Sequence, residues 1–440
     1  MHKDIQFSTL PSGLRVATDR VDHVETTALG LWVNAGSRCE PPEANGTAHL
    51  LEHMVFKGTE RRDARAIAEE MEAVGGMLNA YTDREVTGFD AKLLKDDFAL
   101  GLDIIADMVQ HPRFDAAELE RERHVVLQEI GQAHDTPDDI IFDHFQETAY
   151  ARQPLGAPIL GKAETVRSLP RHALSDFRTA HYGPENLVFT ACGPVDHDRV
   201  AAAVAQAFSD LPASTQRVAP RARYTGGEFR SDQPLEQTHI VLGFERPGLH
   251  DPDHYAIRLL AMLLGGGMAS RLFQEVREQR GLVYTVEAVE HAYADTGLFL
   301  VYAGTAAERA GEYMTVLCDA LNRMRGEAVS AQELRRVKTQ VKAALLMREE
   351  NTAARSDLLG QQILRLGRPV HPDEIVAEIE AVGADDLRRV AGRLFAGAPT
   401  LATVGPAAQV PSVDSLAQRL GAAQPESFDR AAARRDLAAG

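Results

Sequence analysis

Two histidines and one glutamate stand close together in the segment His49-Leu50-Leu51-Glu52-His53. Residues three and four positions apart lie on one face of a helix, so His49, Glu52 and His53 would share a face. Two imidazoles can then bind one zinc ion, and the carboxylate can accept a proton from water that the ion activates. The order H-x-x-E-H is the inverted form of a zinc-peptidase motif. Two solvated histidines beside an incidental glutamate would produce the same pattern, so the motif alone leaves both interpretations open.

A catalytic zinc ion needs a third protein ligand, and a second predicted helix offers Glu129. This glutamate lies in the mainly apolar stretch of residues 125–130, where a carboxylate is costly to bury unless it is paired or bound to a metal. The alternative is a partly exposed position at the helix edge. Glu122 lies seven residues earlier on the same helical face and is a candidate to hydrogen-bond a ligand histidine from behind. Glu118 and Glu120 are better explained as capping or exposed residues.

A short helix over residues 47–58 is needed to carry the clustered side chains. Thr47 is a candidate cap for its start, and Gly58 is a candidate for its end. The apolar residues that would bury this helix against a core are Leu50, Leu51, Met54 and Val55. The segment therefore predicts an amphipathic helix with reactive groups on one face and core residues on another.

A faint internal repeat indicates two related halves. A capped helix start recurs, first as Asp115 followed by Glu118 and again as Ser330 followed by Glu333. The other paired segments are 29–33 with 240–244, typical of buried strands, and 76–94 with 283–303, typical of two strands joined by a turn. The repeat predicts an α+β fold of two tandem homologous domains.

The domain boundary is expected near residue 225. Residues 212–237 contain prolines, glycines and arginines with little apolar periodicity, which favours a linker. The first domain would then span residues 1–225 and the second residues 226–405. Residues 406–440 are rich in alanine, proline and polar residues, which favours a partly disordered tail.

Composition and charge exclude several classes of protein. Lysine and arginine total 47 against 64 aspartate and glutamate, and the net charge of −17 argues against a nucleic-acid partner. The N-terminus lacks the pattern of a signal peptide, and no apolar run reaches membrane-spanning length. Cys39, Cys192 and Cys318 are odd in number and widely separated, which argues against a disulfide framework. These features favour a cytoplasmic protein without a membrane partner.

The chain resembles the pitrilysin and mitochondrial processing peptidase family, in which H-x-x-E-H is followed by a ligand glutamate some seventy-five residues later. Here Glu129 follows His53 by 76 residues. The resemblance extends over segments 75–82, 154–161 and 265–284. It implies a mixed β-sheet with helices packed on one side in each domain, and one zinc ion per chain. It implies that His49, His53 and Glu129 bind this zinc ion and that Glu52 is the general base.

The resemblance also assigns roles outside the metal motif. Asn79 and Ala80 match edge-strand residues that bind extended peptide substrates through main-chain hydrogen bonds. Arg277 and Tyr284 match residues that hold the substrate and its developing negative charge. Arg280 is a rival for the arginine. Without the resemblance, Asn79 would be read as a turn or strand-end residue, Arg277 as part of a surface ion pair and Tyr284 as core.

The second half is similar to the first but has lost its metal motif. In an alignment of the two halves, apolar residues stand at the positions of His49, Glu52 and His53. Ala344 stands at the position of Glu129. The apolar residues are Ile257, Leu260 and Ala261. The family resemblance further implies a homodimer, or a heterodimer with a related subunit. Two chains would enclose a chamber for peptides or unfolded segments, and the arginine and tyrosine would come from the partner chain.

Two alternatives to a zinc-dependent endopeptidase remain open. S-ribosylhomocysteine lyase also has an H-x-x-E-H helix, but with a cysteine as third ligand, for which Cys192 is the candidate here. That enzyme is smaller and undivided. The other alternative is a noncatalytic assembly subunit, but such relatives typically have damaged metal motifs, whereas this motif is intact.

Overall fold

The computed structural model describes residues 5–214 and 219–426. The strands are β1 (Ile5–Thr9), β2 (Arg15–Arg20), β3 (Thr26–Val33), β4 (Met77–Thr82), β5 (Thr87–Leu94), β6 (Leu187–Gly193), β7 (Gly227–Ser231), β8 (Thr238–Pro247), β9 (Val283–Ala292), β10 (Thr296–Thr305) and β11 (Pro399–Val404). The helices are α1 (Thr47–Val55), α2 (Ala64–Ala73), α3 (Phe98–Gln110), α4 (Ala116–His134), α5 (Pro137–Ala149), α6 (Ala163–Ser168), α7 (Arg171–His181), α8 (His197–Ala207), α9 (His254–Gly265), α10 (Ala310–Gly326), α11 (Ala331–Arg348), α12 (Thr352–Leu366), α13 (Pro372–Ala381), α14 (Ala384–Leu394) and α15 (Val413–Leu420).

These elements form two compact units, and each unit takes segments from both halves of the chain. The first unit comprises residues 1–133, 157–220 and 342–377, and the second comprises residues 134–156, 221–341 and 378–440. The division into sequence domains near residue 225 stays a prediction. Residues 215–218 of the predicted linker and residues 427–440 of the predicted tail lie outside the described residues.

The first unit is built on a mixed sheet. In the described residues its strand order is β1-β2-β6-β3-β5-β4, and β2 with β6 is the parallel pair while the neighbouring pairs are antiparallel. This order places β4 at one edge of the sheet. An edge strand presents unpaired backbone groups that another extended segment can use.

Strand β3 is buried on both of its faces. Leu29 and Leu31 belong to the core that includes the apolar side of α1, whereas Ala28 and Trp32 pack with residues of α12. Successive side chains of a strand point to opposite faces, so α12 covers the face opposite α1. The prediction of a buried strand over residues 29–33 is confirmed. The resemblance implied helices on one side of this sheet, and α12 covers the other side as well.

The second unit repeats the design. In the described residues its sheet has the order β7-β11-β8-β10-β9, with a parallel β7–β11 pair and β9 at one edge. Helix α9 packs on β9 and α14 on β8, while Ile141 and Phe145 of α5 belong to a separate core with Val241 and Leu300. The predicted α+β class with two tandem mixed-sheet domains is confirmed.

Both helices that the repeat pairs begin at their predicted caps. Asp115 Oδ1 accepts a hydrogen bond from the Glu118 amide at 3.1 Å, at the start of α4. Ser330 Oγ accepts one from the Glu333 amide at 3.2 Å, and Glu333 Oε2 accepts one from the Ser330 amide at 3.0 Å, at the start of α11. These contacts satisfy helix-terminal amides that have no partner within the helix. In the described ranges no helix has both the length and the hydropathy to cross a membrane.

Candidate metal centre

The helix that carries the two histidines is capped by a residue the sequence did not indicate. The prediction of Thr47 as the cap is wrong, because its hydroxyl donates to the Ala44 carbonyl at 2.6 Å instead. Glu40 binds two buried amides at the start of α1: Oε1 accepts from Ala48 N at 2.6 Å and Oε2 from Gly46 N at 2.8 Å. A carboxylate at this position satisfies unpaired donors and interacts favourably with the helix dipole. Because Glu40 precedes the helix by several residues, it fits no local capping pattern.

Gly46 allows the chain to enter α1 at this point. Its φ of 97° lies in the left-handed region that favours glycine. A Cβ atom there would lie 3.0 Å from Gly161 Cα, and a Cβ atom on Gly161, which is itself left-handed with φ of 83°, would lie 2.6 Å from Gly46 Cα. Two glycines in contact therefore hold the start of α1 against the segment that follows Pro158.

Helix α1 has the two faces that the sequence predicts. Its apolar residues Leu50, Leu51, Met54 and Val55 are fully buried in the core of the first unit. His49, Glu52 and His53 are half-buried. The helix ends at Val55, before Gly58, which has a φ of 121° in the following turn. The core side chains thus fix the rotation of α1 and turn its polar residues towards α4.

Three potential ligand atoms converge from α1 and α4. Donor atoms of His49, His53 and Glu129 all lie within 4.8 Å of one another, and no other such group of three occurs in residues 5–214 and 219–426. Glu129 Oε2 is 3.9 Å from His49 Nε2 and 3.6 Å from His53 Nε2. These distances are too long for hydrogen bonds. Ligands on a tetrahedral zinc ion with bonds of 2.0–2.2 Å would be separated by roughly 3.3 Å.

The protonation and hydrogen bonding of these atoms also fit a metal ion. Glu129 Oε2 is buried and has no hydrogen-bond partner among the described residues. Burial, followed by the neighbouring charge of His53, lowers the pKa of His49 to about 4. At neutral pH His49 is therefore a neutral imidazole, the form that binds metals. The site has an unsatisfied carboxylate oxygen facing two imidazole nitrogens, which is the donor set expected for zinc.

Glu122 and Lys57 lie behind the convergent atoms. His53 Nδ1 is 3.0 Å from Glu122 Oε2, and Lys57 Nζ is 2.8 Å from Glu122 Oε1. A carboxylate oxygen accepts here, so His53 Nδ1–H donates to Glu122 Oε2 and Nε2 keeps its lone pair. That nitrogen is the one nearest Glu129. Sequence analysis found Glu122 but missed Lys57, which follows the motif without a distinguishing pattern.

Glu52 is held by a hydroxyl from the sheet edge. Thr82 Oγ1 donates to Glu52 Oε2 at 2.6 Å. Burial raises the pKa of Glu52, while the Thr82 hydrogen bond and the charge of His53 oppose that rise. Thr82 is the last residue of β4. Sequence analysis included Thr82 only within segment 75–82 of the family resemblance. Nothing in the sequence indicated its contact with Glu52.

Asn79 and Ala80 lie on β4, at the edge of the first sheet. Asn79 is exposed and Ala80 half-buried. The Asn79 side chain hydrogen-bonds Asp90 on the neighbouring strand β5. An edge strand is the element expected for pairing with an extended peptide. Their binding of substrate stays a prediction.

Arg277 and Tyr284 lie in the second unit. Arg277 belongs to a π-helix over residues Phe273–Gln279, and its guanidinium carbon is 4.7 Å from the centre of the Phe273 ring. Tyr284 is 68% exposed near the start of the edge strand β9. The alternative that Tyr284 is a core residue is therefore wrong. Arg280, the rival arginine, lies 3.6 Å from Glu275 in an ion pair.

In the part of the chain that the structure describes, nothing supports metal binding by the residues that align with the motif in the second half or by Cys192. Ile257, Leu260 and Ala261, which align with the motif residues, are buried apolar residues of α9. Cys192 is buried on β6 in the core beneath α12, and burial raises the pKa of its thiol. A buried thiol of this kind is a poor candidate for a metal ligand.

The chain is similar to known peptidases over most of its length. Residues 15–163 match the family model described as "Insulinase (Peptidase family M16)", and residues 168–341 match "Peptidase M16 inactive domain". An uncharacterized zinc protease of Rickettsia felis is 38% identical over 92% of this chain and 98% of its own length. A probable mitochondrial-processing peptidase subunit beta of Arabidopsis thaliana is 35% identical over 94% of this chain and 81% of its own.

Solved structures share the fold. A protease from Helicobacter pylori superimposes with a TM-score of 0.85 at 21% identity, covering 92% of this chain and all of that chain. A peptidase M16 inactive domain from Pseudomonas fluorescens gives a TM-score of 0.86 at 20% identity, covering 93% of this chain and all of that chain. At these identities the likeness concerns the fold alone. The resemblance identified from the motif is confirmed at the level of the family.

Proposed function

The chain belongs to the insulinase family of peptidases (family M16), and on this premise we propose that it is a zinc-dependent endopeptidase that hydrolyses peptides or unfolded polypeptide segments. The observation that carries the proposal is the convergence of His49, His53 and Glu129 beside Glu52. Relatives described as zinc proteases support the metal and the reaction class.

In this proposal the first unit supplies the metal ligands and the base. His49, His53 and Glu129 hold one zinc ion per chain, and Glu122 orients His53 from behind. The bound ion would supply Lewis-acid activation of water and of the substrate carbonyl. Glu52 accepts the proton of the attacking water and returns it to the departing amine.

The remaining predicted residues bind the substrate. The main chain of β4 at Asn79 and Ala80 pairs with an extended peptide, so recognition depends little on side-chain identity. Arg277 and Tyr284 donate hydrogen bonds to the carbonyl oxygen as it gains negative charge. The exposure of Tyr284 supports this role, because a hydroxyl that must reach a substrate cannot be enclosed in a core.

We propose a homodimer as the working assembly. One relative is described as a subunit of a processing peptidase, which supports association with a second chain. A noncatalytic assembly subunit is the weaker alternative, because its role would not require an intact donor set with an adjacent carboxylate. A cytoplasmic location is consistent with three cysteines that are all free thiols.

The deciding experiment replaces Glu52 by glutamine, which keeps the size of the side chain but removes its basicity. Purified wild-type protein and Glu52→Gln are assayed against a peptide library, with products identified by mass and bound zinc measured by elemental analysis. We expect both proteins to contain zinc and the variant to lose about 10²–10⁴-fold in kcat. Glu72→Gln, at an exposed position on α2, is the matched control. Zinc-loaded wild-type protein without hydrolytic activity, or a variant with near-normal turnover, would overturn the proposal.

A further inference from the structure

Strand β4 connects two parts of the proposed site. Its side chains alternate between the faces of the sheet. The Tyr81 hydroxyl donates to Asp357 Oδ1 of α12 at 3.0 Å on one face. Ala80 packs on the core that contains α1, and Thr82 donates to Glu52 on that same side. The strand that is proposed to pair with substrate at residues 79 and 80 therefore ends at Thr82, whose hydroxyl binds the proposed base Glu52.

We propose that Thr82 is a positioning residue for Glu52, whose hydroxyl occupies Oε2 and leaves Oε1 as the oxygen that accepts the proton from water. This inference rests on the proposed function. A hydroxyl has one proton to donate, and the short contact of 2.6 Å assigns that proton to Oε2. A carboxylate bonded at one oxygen has its plane fixed, so the second oxygen presents its lone pairs in a defined direction.

The contact matters because Glu52 has few other restraints. It is half-buried on the polar face of α1, and three side-chain torsions separate its carboxylate from the helix. Among the described residues, only Thr82 donates a hydrogen bond to this carboxylate. Small displacements of a catalytic group reduce rates strongly, by on the order of 10²-fold for about 1 Å.

The location of Thr82 also links substrate binding to the base. Thr82 pairs with Thr87 at the hairpin end of β4, and Ala80 pairs with Phe89. A peptide that adds to the free edge of β4 would restrain the backbone of the whole strand. The Thr82 hydroxyl would then be restrained with it. Occupation of the edge strand should thus tighten the orientation of Glu52 at the moment when a substrate is present.

Three variants test this role. Thr82→Val keeps the branched shape that suits a strand but removes the hydroxyl. Thr82→Ser keeps the hydroxyl. Thr27→Val is the matched control, since Thr27 is a buried threonine of β3 whose hydroxyl has no hydrogen-bond partner in the described ranges. Each protein is assayed for kcat, KM and zinc content, and Glu52→Gln is measured alongside.

We expect Thr82→Val to lose about 10–100-fold in kcat with KM and zinc content unchanged. Thr82→Ser and Thr27→Val should remain close to the wild type. Crystal structures supply a readout that does not depend on activity: Glu52 should have one conformer in the wild type and Thr82→Ser, and several in Thr82→Val. If the valine variant does not fold, Thr82→Ala compared with Thr82→Ser provides the same contrast.

Normal kcat in Thr82→Val, an unchanged Glu52 conformer, or loss of zinc from a folded Thr82→Val would overturn the positioning role. These results are separable from failure of the proposed function. If Glu52→Gln is inactive while Thr82→Val turns over normally, the role of Thr82 alone is wrong. If Glu52→Gln remains active, the assignment of the base is wrong and the positioning role is lost with it.

Discussion

Lys57 Nζ lies 2.8 Å from Glu122 Oε1, the oxygen of that carboxylate that does not contact His53. The Glu122 side chain is only 8% exposed, so its charge would be costly without a cation beside it. The ammonium group of Lys57 therefore stabilises the carboxylate that fixes the ring of His53.

Removal of this cation should weaken zinc binding. We expect Lys57→Met to lower zinc affinity about 10–100-fold, the range found when outer partners of metal ligands are replaced. Lys57→Arg keeps the charge and should lose much less. Competition with a chromogenic chelator measures both affinities. Equal affinity in wild type and Lys57→Met would show that Glu122 orients His53 without help from the lysine.

Two inactive variants should restore activity to each other if the site is shared between chains. A mixture of Glu52→Gln and Tyr284→Phe chains forms some mixed dimers, in which one site has both wild-type residues. We expect roughly a quarter of the wild-type rate, because half of the randomly assembled dimers are mixed and half of their sites are intact. The measurement is the rate after unfolding and refolding the two variants together. A mixture as inactive as its components would place both residues in one chain.

The half-buried carboxyl group of Asp90 should make the stability of the protein depend on pH. Burial, then the charge of Asp357, raises the pKa of Asp90 to about 6, while the hydrogen bond from Asn79 lowers it. Between pH 3.8 and about 6 the folded protein holds a proton that the unfolded chain has released, so stability falls as the pH rises through this window.

Asp90→Asn removes that effect. Because the carboxyl group is only partly buried, the effect should be modest. Above pH 6 we expect the free energy of unfolding of the variant to exceed that of the wild type by on the order of 1 kcal/mol. The difference should shrink as the pH is lowered towards 4. Urea unfolding at pH 4.5 and 7.5 measures it, with the exposed Asp176→Asn as control. A difference that is the same at both pH values would contradict the prediction.

Gly360 of α12 should not tolerate a methyl group. A Cβ atom at this position would overlap the indole ring of Trp32, whose Nε1 donates to Thr190 Oγ1 at 2.7 Å. We expect Gly360→Ala to destabilise the first unit by about 1–3 kcal/mol, the usual range for overpacking. Gly392 in α14 has open space around the same position, so Gly392→Ala should be neutral or stabilising by up to about 1 kcal/mol. Denaturant unfolding compares the two, and equal effects would contradict close packing at Gly360.

Sequence reasoning recovered what local spacing encodes. The pattern of His49, Glu52 and His53 defines one helical face without reference to the rest of the chain, and the strands and caps of the repeat follow from similarly short patterns. Glu129 was a candidate ligand from its apolar surroundings, and the family resemblance singled it out, since nothing local says that α4 approaches α1.

The contacts that complete the site could not be predicted, because they join residues without any periodic relationship. Thr82 is 30 residues from Glu52 and binds it through a single hydroxyl. Glu40 caps α1 across a turn, where sequence rules expect the cap to be adjacent. The position of α12 on the first sheet depends on a close fit between Gly360 and Trp32 that only the folded chain reveals.

The position of α12 has a consequence for synthesis of the chain. The last strand of the first sheet, β6, ends at Gly193, whereas α12 begins only at Thr352. Ribosomes add about 5–20 residues per second, so the Trp32 face of the nascent sheet would remain uncovered for on the order of ten seconds or more. During that interval the first unit would be incomplete and would expose the apolar residues of this face. We therefore expect chaperones that bind nascent apolar surfaces to recognise this protein before α12 has been made.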